Sequence, residues 1–143
     1  MTAGPLIDWP AIERAAIDVR TRAYAPYSRY AVGSAILTAS GQTFVGCNVE
    51  NASYGLCVCA ERSAIVQMIA AGARDPIAVA VVTEGPVPAA PCGMCRQTLA
   101  EFATDLPIHL LVAGDPSATI ETTLAELLPR AFRADALPEK PAC

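Results

Sequence analysis

Cys59-Ala60-Glu61-Arg62, then Ile77-Ala78-Val79-Ala80-Val81-Val82-Thr83, then Pro91-Cys92-Gly93-Met94-Cys95-Arg96 decide how this chain is organised. The first segment opens a helical stretch from Cys59 to Ala71 that stops at Gly72. The second is a short apolar run of buried-strand type. The third opens another helix, Gly93 to Phe102, after the proline-rich loop Glu84 to Pro91. Cys59 and Cys95 therefore fall at or near two helix N-termini, with Cys92 just before the second. Unpaired N–H groups and a partial positive charge at such ends stabilise thiolates. Two helices aimed at one point would gather three thiols and one carboxylate from distant segments. A closed structural zinc site takes four protein ligands, whereas a catalytic one keeps a position open for water. With Cys59, Cys92 and Cys95 as ligands, Glu61 reads as a proton carrier outside the coordination shell.

Working outward, Asp8-Trp9-Pro10 looks like a helix start, an acidic cap followed by proline in the first turn. Ala11 to Ala23 continues it with Ile12, Ala15, Ala16 and Val19 on one face, until Ala25-Pro26-Tyr27-Ser28 breaks it. Val32 to Thr38 and Thr43 to Val49 read as a hairpin joined by Ala39-Ser40-Gly41-Gln42. Asn51 to Gly55 is a polar loop. Ile108 to Ala113 is a further strand, Thr119 to Thr123 a short edge strand, and Leu124 to Leu128 a small helix. Alternating strands and helices after residue 43 predict a sheet covered by helices on both faces.

The chain has 143 residues, 53% of them hydrophobic, enough for one domain with a substantial core. That domain is expected to span 1–143, with a core of about 10–132 and a tail of 133–143. A net charge of −4 and the absence of any lysine or arginine cluster argue against a polynucleotide partner and for a small molecule. No apolar run approaches the ~18 residues of a membrane span, and the N-terminus has no signal-peptide pattern. Six cysteines would suggest a disulfide framework only in a short secreted chain. Four of the six cluster as Cys57/Cys59 and Cys92/Cys95, which favours metal binding in a cytoplasmic protein.

Two plainer readings compete at this point. A C-x-x-C alone serves as a redox pair or half a zinc knuckle. A closed four-cysteine site would use Cys57, Cys59, Cys92 and Cys95, but a C-x-C half is shorter than the usual C-x₂₋₄-C spacing and leaves Glu61 without a task. Three thiolates on Zn²⁺ leave a formal charge of −1, so a compensating cation is expected, and Arg62 and Arg96 stand next to the ligands to supply it. Elsewhere the ordinary reading holds: His109, the sole histidine, is structural, Cys47 and Cys57 are small buried hydrophobes, and Cys143 is a free tail thiol.

C-x-E with P-C-x-x-C is the signature of zinc-dependent base deaminases. Tyr24-Ala25-Pro26-Tyr27-Ser28, Gly46-Cys47-Asn48-Val49-Glu50-Asn51-Ala52, Cys59-Ala60-Glu61-Arg62, Pro91-Cys92-Gly93-Met94-Cys95-Arg96-Gln97, and Glu126-Leu127-Leu128-Pro129 with Phe132 carry the match further. Together they resemble the small homotetrameric cytidine deaminases over about residues 10–132. The resemblance implies an α/β fold, a three-layer α/β/α sandwich with a five-stranded mixed sheet, and one Zn²⁺ per subunit. It carries ligand roles to Cys59, Cys92 and Cys95 and the proton shuttle to Glu61. It assigns the sugar, chiefly its 3′-hydroxyl, to Asn48 and Glu50, and the pyrimidine edge to the backbone at Ala60. Tyr54 and Phe132 match positions that reach the pocket from neighbouring subunits, so active sites would be shared in a homotetramer. Arg62, Arg96 and Gln97 would support the metal ligands.

Two positions depart from the family pattern. Tyr30 stands where phenylalanine is usual beside the nucleoside, and Arg130 where a small or acidic residue is common. The resulting expectation is a zinc-dependent hydrolase that converts cytidine and 2′-deoxycytidine to uridine and 2′-deoxyuridine plus ammonia, in pyrimidine salvage. The alternatives are a deaminase of modified nucleosides or nucleoside antibiotics on the same fold, and a non-enzymatic zinc-stabilised binding module. Blasticidin-type deaminases share the zinc motifs but lack the Asn48-x-Glu50 context and the Tyr-Ala-Pro-Tyr-Ser segment.

Overall fold

A computed structural model of the chain describes residues 5–139. Helix α1 (Trp9–Arg20) begins where the sequence predicts it, with Asp8 Oδ1 accepting the Ala11 N–H at 3.0 Å and Pro10 in the first turn. Its buried residues, Ile12 and Ala16, lie one turn apart. Strands β1 (Gly33–Thr38) and β2 (Thr43–Cys47) form the expected hairpin, with Gly41 at φ 84° in its turn. There follow α2 (Ala60–Ala70), β3 (Pro76–Thr83), α3 (Gly93–Ala100), β4 (Pro107–Val112), β5 (Asp115–Thr123) and α4 (Leu124–Leu127). Thr123 and Glu126 build a reciprocal capping box on α4. Single 3₁₀ turns at Tyr54–Leu56 and Ala134–Ala136 are not legible in the sequence.

The five strands form one mixed sheet in the order β2-β1-β3-β4-β5. Only the β3–β4 pair is parallel, with α3 in the crossover between them. Alternate residues of one strand serve opposite faces. Ile36, Val79 and Val81 join Ala64, Ile65, Met68, Leu99 and Leu124 beneath α2, α3 and α4. Ala35, Leu37, Ala78, Ala80 and Val82 pack with Ile12 and Ala16 beneath α1. The result is the three-layer α/β/α sandwich expected.

His109 fastens α1 to β4. Its ring stacks on Trp9 with centroids 3.4 Å apart and 5° between planes, and its Nδ1 lies 2.7 Å from Glu13 Oε1. Cys47 and Cys57 are half-buried rather than buried. The Cys57 thiol is occupied locally, accepting the Asn51 N–H at 3.4 Å. Arg130 is exposed with φ at 60°, a left-handed conformation that glycine adopts at less cost, which is a physical reason for small residues there. Cys143 lies outside the described residues. Among those residues, no helix is long and apolar enough to cross a membrane.

Gly46 sets the seat of α2. A Cβ at this position would fall 2.4 Å from Ala60 O and 2.4 Å from Ala64 N, both backbone atoms of the first turns of α2. Neither can swing away as a side chain could, so Gly46→Ala must displace the helix that carries Glu61. Overpacking of this kind costs about 1–3 kcal/mol. The urea midpoint is expected to fall with an unchanged slope, and an unaltered midpoint would refute the close-approach role.

Candidate metal centre and adjoining cavity

Each cysteine of the predicted ligand set is placed by a helix start. Cys59 is the N-cap of α2, Cys92 is the N-cap of α3, and Cys95 lies in the first turn of α3. Neither cap side chain accepts a backbone N–H of its own helix, which leaves the sulfurs free to converge. Cys59 Sγ lies 3.7 Å from Cys92 Sγ, and Cys92 Sγ lies 3.6 Å from Cys95 Sγ. Tetrahedral geometry with Zn–S bonds of about 2.3 Å places neighbouring sulfurs about 3.8 Å apart. The donor set and its spacing fit a zinc ion. Among the described residues, Cys59, Cys92 and Cys95 form the one group whose ligand atoms all lie within 4.8 Å of one another, and Glu61 is not a member. Cys57 is not a member either.

Glu61 sits one residue inside α2 and is 4% exposed. The Cys95 thiol donates to its Oε2 at 3.5 Å. Burial, reinforced by the Cys59 charge, pushes the Glu61 carboxyl above its ordinary range. Cys59 is lowered to about 5, chiefly by the hydrogen bond from Cys95 and further by Arg62 and Cys92. Cys95, correspondingly, is pushed up, first because Cys59 takes the charge and then by burial.

Arg62 Nη2 reaches Cys59 Sγ at 3.7 Å and also donates to Cys57 O at 3.2 Å. The Cys59 thiolate in turn holds the guanidinium more firmly protonated. Its Nε is buried without a partner, an orphaned donor beside the sulfur cluster. Arg96 points elsewhere, donating to Pro91 O at 2.7 Å and Leu127 O at 2.8 Å. It fixes the loop that presents Cys92 and ties α3 to α4. Gln97 Nε2 donates to Phe132 O at 2.8 Å, which anchors the C-terminal segment.

A cavity of 340 Å³ opens beside the cluster, lined by Cys59, Ala60, Glu61 and Cys92, by Asn48, Val49 and Glu50, and by Ser28, Tyr30 and Val32. Val81 and Thr83, at the C-terminal end of β3, and Ala89 and Ala90 complete it with Cys57 and Val58. Apart from Cys57, the sequence singles out none of these last residues for a site. Their available signal was position, at the carboxyl end of the parallel strand nearest two helix N-termini.

Asn48 and Glu50 build the cavity wall as well as lining it. Asn48 Oδ1 accepts the Val32 N–H at 2.8 Å, while its Nδ2 donates to Tyr30 O at 2.8 Å. Glu50 Oε1 accepts the N–H groups of Tyr27 at 2.9 Å and Ser28 at 3.1 Å. The Ser28 hydroxyl, followed by the Ser28 and Tyr27 N–H groups, holds this carboxyl below its ordinary range. Tyr54 and Phe132 do not line the cavity; they are 75% and 62% exposed, and Tyr54 meets Tyr27 edge-on at 6.1 Å.

Comparison with known proteins agrees with this geometry. Residues 11–109 match the family model described as the cytidine and deoxycytidylate deaminase zinc-binding region. A cytidine deaminase of Halalkalibacterium halodurans is 44% identical over 131 residues, covering 90% of this chain and 97% of that one. The crystal structure of cytidine deaminase from Burkholderia pseudomallei superposes with a TM-score of 0.83 at 46% identity, covering 88% of this chain and all of that one (100%). That of Mycobacterium tuberculosis gives 0.76 at 38% identity, over 88% of this chain and 98% of that one.

Proposed function

This chain belongs to the cytidine and deoxycytidylate deaminase zinc-binding family, and on that premise we propose that it hydrolyses the 4-amino group of cytidine and 2′-deoxycytidine. Uridine or 2′-deoxyuridine and ammonia are the products. The observation that carries this reading is the Glu61 carboxyl, buried at the cavity floor 3.5 Å from a sulfur of the three-cysteine cluster yet outside it.

When held by Cys59, Cys92 and Cys95, zinc supplies the Lewis acidity that makes water a nucleophile near neutral pH. Glu61 takes one proton from the attacking water and delivers it to N3 of the pyrimidine. It then takes the second from the hydroxyl now on C4 and passes it to the amine, which leaves as ammonia as the C4 carbonyl forms. Its raised affinity for protons suits a group that must hold one before giving it up. Arg62 offsets the net negative charge of three thiolates on a divalent ion. The Ala60 backbone, at the head of α2, faces the pyrimidine edge.

Asn48 and Glu50 hold the ribose. Glu50 Oε1 is taken by two backbone N–H groups, and the carboxylate keeps acceptor capacity that is available to the 3′-hydroxyl. A carboxylate held ionised beside the sugar repels a phosphate, so the free nucleoside is the substrate. Tyr30 lines the wall near the sugar and base. The exposed Tyr54 and Phe132 complete the pocket of a neighbouring subunit in a homotetramer. The setting is pyrimidine salvage in the cytoplasm.

Ammonia release and the ultraviolet change on adding cytidine, deoxycytidine or CMP to zinc-loaded protein test the proposal. Turnover of both nucleosides but not CMP is expected. Equal turnover of CMP would defeat the sugar-site argument. No turnover of either nucleoside, with one zinc bound per chain, would overturn the assignment of substrate.

A further inference from the structure

Two walls of the cavity come from segments far apart in sequence, residues 28–32 and the loop that follows β3 and runs to Cys92. The first is gripped on one side by Asn48, which satisfies Tyr30 O and the Val32 N–H. The carbonyl between them, Ala31 O, goes instead to Arg20, whose Nε donates to it at 2.9 Å. The same guanidinium forms an ion pair through Nη2 with Glu84, the first residue beyond β3. Arg20 is the last residue of α1, and its mounting is rigid. A Cβ at Gly33 would fall 2.7 Å from Arg20 Cβ and 2.8 Å from Arg20 N, so the helix end rests directly on the first residue of β1. The Arg20 side chain is 17% exposed and stands outside the metal centre.

We propose that Arg20 is a positioning residue that straps the two cavity walls together, fixing the spacing between the Tyr30–Val32 segment and the Glu84–Ala90 loop around the bound nucleoside. The identity of the ligand rests on the functional reading above; the strap itself does not. Charge-assisted bonds from one planar guanidinium restrain both partners at once, which a lysine cannot do with the same geometry. The strap touches neither the scissile bond nor the proton shuttle. Its loss therefore widens the binding site and weakens nucleoside binding, with little effect on the chemical step.

The test compares zinc-loaded wild type with Arg20→Gln, Arg20→Lys and Glu84→Gln. For Arg20→Gln, KM for cytidine is expected to rise about tenfold with kcat within about threefold, the size of a lost charge-assisted bond. Arg20→Lys and Glu84→Gln each keep one arm and should fall between. Cytidine is uncharged, so any effect of salt on KM reports on the protein. Between about 0.1 M and about 1 M salt the screening length drops from about 10 Å to about 3 Å, and KM should rise in wild type but stay flat in Arg20→Gln and Glu84→Gln. Hydrogen exchange on the ligand-free proteins gives a readout independent of turnover: amides of 29–32 and 84–90 should both exchange faster in Arg20→Gln, while those of α2 do not change. An unchanged KM, or faster exchange in only one wall, would overturn the proposal. If wild type turns over no cytidine, the substrate assignment fails, and the exchange comparison alone upholds or rejects the strap.

Discussion

Glu61→Gln is expected to retain one zinc per chain while losing kcat by about 10²–10⁴-fold, the usual range for removing a positioned general acid–base. The amide has the shape of the carboxyl and fills the same buried space, so packing in α2 is preserved. It cannot accept the proton released from water, nor carry it to N3 or to the amine. The carboxyl is 4% exposed, which excludes bulk solvent as an efficient substitute carrier. Its elevated proton affinity comes first from desolvation, a property of the site that the amide does not reproduce. Steady-state kinetics beside metal analysis decide the matter. Turnover within about tenfold of wild type would remove Glu61 from the proton path, and loss of zinc would mean that the carboxylate belongs to the coordination shell.

The sequence reveals the three-cysteine cluster because chemistry forces a local pattern: a thiol at a helix start, a carboxylate two residues on, and a C-x-x-C opening a second helix. The sheet is legible for the same reason, since near-continuous burial of β1 and β3, with alternate residues packed on opposite faces, leaves a mostly apolar run in the sequence. Where the reading errs, a distant partner intervenes. The first helix is predicted to run to Ala23, because nothing before Pro26 forbids it. It ends at Arg20 because Tyr24 is drawn into backbone bonds with Asn48 O at 3.0 Å and the Glu50 N–H at 2.8 Å. The second strand is predicted to reach Val49 but stops at Cys47, because Val49 turns to pair with Tyr24 and Val58. The last strand is longer than predicted, since Asp115–Ser117 look like turn residues yet Asp115 pairs with Val112 across a tight reversal. The sequence assigned charge compensation equally to Arg62 and Arg96. Only the fold distinguishes them, sending one to sulfur and the other to carbonyls. Arg20 has no local signature at all, since both of its partners are tertiary.

Cys95→Ala is expected to abolish zinc binding and turnover together and to lower thermal stability in zinc-containing buffer. Cys95 is the fully buried ligand, at 0% exposure, and its sulfur is 3.6 Å from Cys92 Sγ and 3.5 Å from Glu61 Oε2. Alanine leaves two thiols to hold an ion that needs three. Outer-shell partners of a metal ligand already matter by 10–100-fold in affinity, so loss of a ligand itself should exceed about 100-fold. Stability follows by linkage: free zinc at about 100 times its dissociation constant stabilises the folded wild type by about 2.7 kcal/mol, and a variant that no longer binds gains almost nothing at the same concentration. Thermal scans with and without a chelator separate this effect from packing, because the chelator should lower the melting temperature of wild type and leave Cys95→Ala unmoved. Cys57→Ser provides the contrast. Its thiol is engaged with the Asn51 backbone and lies outside the sulfur cluster, so zinc content and chelator sensitivity should match wild type. A closed four-cysteine centre predicts the reverse for Cys57, with metal lost in the serine variant. Retention of stoichiometric zinc by Cys95→Ala would break the three-thiolate assignment. If both expectations hold, the fourth position at the metal belongs to no cysteine of this site, which is the condition for water and substrate to reach it.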